Sequence, residues 1–434
     1  RHSVRPVGES FLLLLTATRP YRDLPRAGLA AGRHLRPVWS HGGAAMCCDG
    51  LHAAGQRSST GTRCGLYILE GVGVTRDREG KAGVFTCMVP HVPMVAVLVA
   101  WISVGNTPLL DLSALAPDLP KGVRVLGKAE FSNPSGSVKD RIVEYILDEQ
   151  ERIGRLTRFS GQTIVASSSG NTATSLATFS ALRGYRCIAI TNRGTSKEKV
   201  QQLYAYGAEV VVTASGVPTD SPVHYQNVEK QLVEENPGYF GLNQYDSPLN
   251  PEAYYATLGP ELWAQTNGKI THLVAAGSTG GTVSGTARFL KKKNQAIQVI
   301  MPDPHGSIFY DWWAHRKLVK PTSFEVEGVG KDSIPQALDL SLIDVMPRFS
   351  DEQAFATCRT IARRMGMMVG GSAGGNVHAA LTLARKLKGP ATVVAILCDS
   401  GTKYLSKIFN DEWMASKGYD VAAMDASAAN RSAQ

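Results

Sequence analysis

From about residue 101 onward, short runs of apolar and β-branched residues alternate with glycine- or serine-rich loops and with longer stretches of helical spacing. Gln162 to Ala166 is followed by a Ser/Gly loop and the helical stretch Thr174 to Leu182. Arg186 to Thr191 is followed by Lys197 to Tyr206, and Glu209 to Thr213 by a Pro-rich loop. The alternation returns with Thr271 to Ala276, a glycine loop and a helix through Lys292, then Ala296 to Met301, and late in the chain Ala391 to Leu397. Strand-like and helical segments in alternation predict βαβ units around parallel sheets, because a parallel crossover needs an intervening segment long enough for a helix. No solenoid period is present. Two α/β lobes suit a pattern of this length, with chemistry at the carboxyl ends of the strands.

Composition narrows the class. Of 434 residues, 43% are apolar and 19% charged, enough for a buried core, which excludes a wholly disordered or collagen-like chain. Seven cysteines, irregularly spaced, do not make a secreted disulfide framework. Cys47 and Cys48 are adjacent, unlike paired zinc ligands, and no metal site is expected.

The net charge of +9 is unevenly placed. Residues 1–100 carry 12 Lys/Arg against 6 Asp/Glu, so +6 of the +9 lies there and the remaining 334 residues hold only +3. That body has no basic stripe for nucleic acid, and Lys291, Lys292 and Lys293 read as a solvated helix end. The first 64 residues hold nine Arg, no Lys and three acids, a composition that fits an organelle transit peptide. It fits equally well coding sequence upstream of the true start, with Met46 or Met88 as that start. The expected compartment is therefore the cytoplasm, or the mitochondrion or plastid if the extension is a targeting segment. Pro93 to Val104 is apolar but only a dozen residues long, too short to cross a bilayer core of roughly 30 Å, so no membrane association is expected. The expected organisation is an Arg-rich extension over 1–100, a catalytic domain over 101–414 and a frayed tail over 415–434. Within the catalytic domain a smaller lobe covers about 142–248, and a larger one combines 101–141 with 249–414.

Four loops carry candidate chemistry. In Asn133-Pro134-Ser135-Gly136-Ser137-Val138-Lys139-Asp140-Arg141 a Gly/Ser loop delivers Lys139 to the mouth of a helix. There the positive end of the macrodipole favours the neutral amine that forms Schiff bases. Ser167-Ser168-Ser169-Gly170-Asn171-Thr172 offers amides and hydroxyls to a carboxylate, though a capped helix start reads the same way. Gly277-Ser278-Thr279-Gly280-Gly281-Thr282 suits a monophosphate; it is neither a Walker A loop nor the spaced dinucleotide glycines. Cys398-Asp399-Ser400-Gly401 places a hydroxyl at a strand end, where it meets a ring nitrogen or merely closes a turn. Cys398 lacks an adjacent base and reads as a small buried residue.

Together, and in this order, the four loops resemble those of the fold type II pyridoxal phosphate enzymes, specifically the cysteine synthase and cystathionine β-synthase family. The resemblance runs from Gly105-Asn106-Thr107-Pro108-Leu109 to about Trp413. It implies a two-lobed α/β fold like the tryptophan synthase β subunit, each lobe a largely parallel sheet flanked by helices. It implies pyridoxal 5'-phosphate as cofactor, held as a Schiff base by Lys139, with Asn171 on the ring 3-oxygen and Ser278, Thr279, Gly280, Gly281 and Thr282 around the phosphate. Ser400 should face the pyridine nitrogen. Ser168, Ser169 and Thr172 should clamp the substrate carboxylate, helped by Gln244 of Asn243-Gln244-Tyr245, and Gly328-Val329-Gly330 matches a lid-side glycine loop.

The implied reaction is β-replacement on serine or O-acetylserine through an aminoacrylate, with homocysteine or sulfide adding to give cystathionine or cysteine. Lys139 serves as anchor and then as base. The competing readings are a serine/threonine dehydratase and a weakly active cofactor binder that works through a partner. A homodimer is expected from the resemblance alone. Asp303-Pro304-His305-Gly306-Ser307-Ile308 and Tyr404 to Met414 lean toward the cystathionine β-synthase branch, whose haem-ligating segment is not discernible and whose C-terminal regulatory module is not expected. Three departures stand out. Ala173 replaces a usual Gly and should narrow the approach of substrate or helix. Ser278 replaces another Gly and should strain its loop if φ is positive there. Cys398 replaces Pro.

Overall fold

A computed structural model describes Val72–Arg76, Ala82–Thr86 and residues 103–430, except Ser169 and Thr219. The Arg-rich extension therefore lies outside the described residues, apart from one antiparallel pair of strands, Val72–Arg76 with Ala82–Thr86.

Two sheets organise the rest. The larger has five strands in the order Gln298–Ile300, His272–Val274, Ala391–Leu397, Val123–Ala129, Leu109–Asp111, and only the last pair is antiparallel. The smaller has four parallel strands in the order Glu209–Thr213, Arg186–Asn192, Thr163–Ser167, Phe240–Gly241. Thr163–Ser167 and Val393 to Leu397 are buried along their whole length, which is why their sequences run apolar instead of alternating. The four loops singled out from the sequence all leave the carboxyl ends of parallel strands or precede the helices that follow them.

Helix patterns explain the packing. Lys139–Arg152 buries Ile142, Val143, Ile146 and Leu147, a stripe of i, i+4 positions facing the core. Asp351–Met365 begins with a capping box, in which Gln353 N donates to Ser350 Oγ (3.2 Å) and Ser350 N to Gln353 Oε1 (2.9 Å). It ends at Gly366, whose φ of 66° suits a left-handed cap. Gly371–Ala384 is buried on nearly every side, and its Asn376 ties two strands together, donating to Ile396 O (2.8 Å) and accepting from Ala276 N (2.8 Å).

The described part of the segment expected to fray, as far as residue 430, contains a docked helix. Val421–Asn430 is helical, Met424 is buried, and Asp425 pairs with Arg359 and Arg363 of the Asp351–Met365 helix. Two cations one turn apart on that helix give the acid its docking point.

Candidate active site

Beneath the site lies a buried ionic cluster. Arg141, two residues after Lys139, donates to both oxygens of Glu130 (2.7 and 2.8 Å) and to both of Glu261 (2.8 and 2.9 Å). Lys128 completes it with a 2.9 Å bond to Glu261. Burial pushes the Glu261 carboxyl up, but Arg141 and Lys128 outweigh it and hold the group down at about 2. Glu130 is likewise held below the usual carboxylate range by Arg141 against the effect of burial. Asn133 bonds Glu130 through its Nδ2 (2.9 Å) and accepts from Gly105 N (2.9 Å), so the loop leading to Lys139 is fixed at its base. Its other end is pinned by the neighbouring strand: Val138 N donates to Cys398 O (2.8 Å) and Ser400 N to Gly136 O (3.2 Å).

Lys139 is the first residue of its helix and lines a cleft of about 780 Å³, measured out to its opening. Its ammonium has no hydrogen-bond partner among the described residues. Burial lowers its pKa, while Cys398 and Asp399 pull the other way. Desolvation and the helix start thus both favour the neutral, nucleophilic amine.

Around it stand most of the residues expected from the sequence. Ser168, Asn171, Thr172 and Gln244 line the cleft. Thr172 Oγ1 donates to Gln244 Oε1 (2.6 Å), and Gln244 Nε2 donates to Ser167 O (2.9 Å), which joins the carboxylate loop to the opposite wall. Ser169 lies outside the described residues. Ser278, Thr279, Gly280 and Thr282 also line the cleft, at the start of the 13-residue helix Gly281–Lys293.

The glycines of that turn have a steric reason. Gly280 has φ 86°, and a Cβ there would lie 2.3 Å from Leu338 Cβ; one on Gly281 would lie 1.8 Å from Asn250 Oδ1. Gly281 itself starts the helix against buried Asn250 without lining the cleft. Glycine at both positions lets Leu338 and Asn250 pack closely on the turn, and a small-residue turn opening a helix is an arrangement that can receive a phosphate. A partly buried, desolvated amine without a hydrogen-bond partner on one side and this cup on the other fit pyridoxal phosphate.

Three expectations need correction. Ser400 does not line the cleft: its Oγ accepts from Thr402 N (3.3 Å) and meets Thr402 Oγ1 (2.8 Å) at an exposed turn, while its backbone pins the Lys139 loop. The hydroxyl that does line the cleft is Ser372, at the start of the Gly371–Ala384 helix beside Cys398. Ser278 is not strained, because the positive φ belongs to Gly280. Ala173 is buried in the core against Leu176 and Ala177 and does not narrow the cleft.

Other residues of the site escaped sequence reasoning. Lys199 and Glu327 both line the cleft and pair at 2.7 Å, and Lys407 holds the other oxygen of Glu327 at 2.6 Å. Tyr245, next to Gln244, and Gly328, from the glycine loop expected on the lid side, also line the cleft. Cys398 lines it too, its thiol pushed up to about 11 chiefly by burial, so it is an inert neighbour and no nucleophile.

Comparison with known proteins agrees with this geometry. The family described as "Pyridoxal-phosphate dependent enzyme" matches residues 101–399. Rabbit (Oryctolagus cuniculus) cystathionine beta-synthase is 39% identical over 316 residues, covering 73% of this chain and 57% of that protein. The chain thus spans little more than half the length of such relatives. The O-acetylserine dependent cystathionine beta-synthase of Bacillus subtilis is 34% identical, covering 70% of this chain and 94% of its own length. Among solved structures, the O-acetylserine dependent cystathionine beta-synthase from Helicobacter pylori superposes with a TM-score of 0.64 at 34% identity, over 70% of this chain and 95% of that one.

Proposed function

The chain belongs to the pyridoxal-phosphate dependent enzymes, and from that premise we propose that it catalyses β-replacement on serine or O-acetylserine, adding homocysteine or sulfide to give cystathionine or cysteine. The observation that carries this reading is the Lys139 amine, partly buried and without a hydrogen-bond partner among the described residues, between a carboxylate loop and a phosphate cup.

Bound pyridoxal phosphate supplies an aldehyde for the amino group and an electron-accepting ring that stabilises negative charge at Cα. The protein does the rest. Ser168, Thr172 and Gln244 hold the substrate carboxylate, and this orients the Cα–H bond toward Lys139. Lys139 Nζ, its pKa lowered by burial, takes the α-proton. The β-substituent leaves with its bonding pair, the thiolate adds at Cβ, and Lys139 returns its proton to Cα. Ser372, a neutral hydroxyl that lines the cleft, would be the partner of the pyridine nitrogen, the role the resemblance assigns to Ser400. A neutral partner there would leave a bound ring weakly protonated, which suits elimination and addition at Cβ. The Lys199–Glu327–Lys407 ion pairs hold the Gly328 segment against the cleft, where it limits entry of water.

The names of the relatives support this choice of chemistry, since they include both cystathionine beta-synthases and "Cysteine synthase 1" of Neurospora crassa. The protein is read as a homodimer from the same resemblance, and sedimentation as a monomer would overturn that. The test of function is product analysis of purified protein given serine or O-acetylserine, each with homocysteine or sulfide. Cystathionine or cysteine is the expected dominant product; pyruvate alone would replace this reading with elimination.

A further inference from the structure

Lys403 is 1% exposed and stands on the short turn after the strand Ala391–Leu397. Its Nζ donates to Asn171 Oδ1 at 2.9 Å. The other end of the same amide meets the opposite charge, for Asn171 Nδ2 donates to Asp399 Oδ2 at 2.8 Å. Asp399 is completely buried, and the same oxygen accepts from Tyr404 OH at 2.7 Å. Were the amide reversed, its oxygen would face the Asp399 carboxylate and its NH₂ the Lys403 ammonium, and both contacts would be repulsive. A cation at one end and an anion at the other therefore permit one orientation only. In that orientation one N–H of Asn171 is used by Asp399, and the second remains for the cleft that Asn171 lines.

We propose that Lys403 is a positioning residue for the reaction: with Asp399 it locks the Asn171 amide so that an N–H points into the cleft, and its charge favours an anionic oxygen there. The proposal rests on the reading that the cleft holds pyridoxal phosphate with its 3-oxygen at Asn171. The charge reaches that oxygen through a single amide, whose N–H it polarises. An ionised 3-oxygen is the state in which the bound cofactor absorbs at long wavelength, so the lock has an optical readout.

The charge is also titratable within reach of neutral pH. Burial lowers the Lys403 ammonium to about 8, Asp399 and Asp140 raise it, and Lys199 lowers it. Those groups face it from its own strand end, from the Lys139–Arg152 helix and from the Lys197–Ala205 helix. The Lys139 loop also lies close, with Gly136 placed so that a Cβ would be 3.8 Å from Lys403 Nζ. A lowered lysine pKa means the cation is present below about 8 and lost above it.

The test is the absorption spectrum of the full-length holoenzyme through that pH region for the parent, Lys403→Met and Lys403→Arg. In the parent, the ratio of the long-wavelength band to the near-ultraviolet band should fall as pH rises through about 8. Lys403→Met should abolish this step and show the high-pH ratio throughout, with kcat lowered about tenfold or more, the loss of one charge-assisted hydrogen bond, and KM for the amino acid little changed. Lys403→Arg, which keeps the cation without its titration, should hold the low-pH ratio on both sides of the step, and it decides the matter if the Met variant does not fold. A parent band that Lys403→Met leaves unchanged in ratio and pH dependence would overturn the proposal alone. No cofactor band in the parent would overturn the cofactor reading and the proposal with it.

Discussion

Replacing Glu261 by Gln should destabilise the protein by about 3 kcal/mol at neutral pH, and the loss should disappear in acid. Glu261 accepts three charged hydrogen bonds, two from Arg141 and one from Lys128, at 2.8 to 2.9 Å. Burial alone would raise its pKa, yet the two cations hold it at about 2 against an ordinary value of 4.5. That depression corresponds to about 3 kcal/mol, since each tenfold in acidity is about 1.4 kcal/mol. The figure agrees with the cost of breaking a buried pair by removing one partner, about 3 to 5 kcal/mol. The direction in pH follows from the depressed pKa. The stabilisation is whole above 4.5 and is lost as pH falls toward about 2. Glutamine keeps the shape and one acceptor oxygen but carries no charge at any pH. Urea unfolding of parent and variant should therefore give curves separated by about 3 kcal/mol at neutral pH that converge as pH falls below 4.5. A difference below about 1 kcal/mol at neutral pH, the worth of an exposed pair, would refute the account. So would a difference independent of pH.

Three further outcomes are expected. Ser372→Ala should shift the spectrum of the bound cofactor while Ser400→Ala leaves it unchanged; the reverse would restore Ser400 to the ring nitrogen. Gly281→Ala should weaken cofactor binding, measured by titration of the apoprotein, and lower stability by about 1 to 3 kcal/mol, because its methyl has Asn250 Oδ1 only 1.8 Å away. Unaltered affinity and stability would mean that the turn has room to move. Ser278→Gly should leave cofactor affinity unchanged, because the positive φ lies at Gly280, and a clear tightening would show that Ser278 is strained after all.

Much of the site was legible because each of its loops is a contiguous string next to a strand whose apolar run is unmistakable. Glu209–Thr213 and Ala391–Leu397 were placed to the residue, and the glycine loops fell at strand ends as parallel topology requires. Ser400 misled because nearness to a strand end says nothing of direction. Cys398 lines the cleft, and two residues later the chain has already turned outward. Ser372 does carry a sequence signal, a helix start in the run Gly370-Gly371-Ser372-Ala373-Gly374-Gly375, of the same small-residue kind as the phosphate cup. The Lys199–Glu327–Lys407 chain and the Lys403–Asn171–Asp399 lock join residues 80 to more than 200 positions apart. No local pattern announces such pairs. The tail helix is similar, since its docking depends on Arg359 and Arg363, some 62 to 66 residues earlier in the chain.

Lys139 is proposed to carry the cofactor, in preference to Lys199, which lines the same cleft, and to the buried Lys403. Borohydride reduction of the purified holoenzyme, followed by mass mapping of its peptides, tests it directly. A phosphopyridoxyl group is expected on Lys139 and nowhere else. Attachment to Lys199 or Lys403, or no attachment to any lysine, would contradict it.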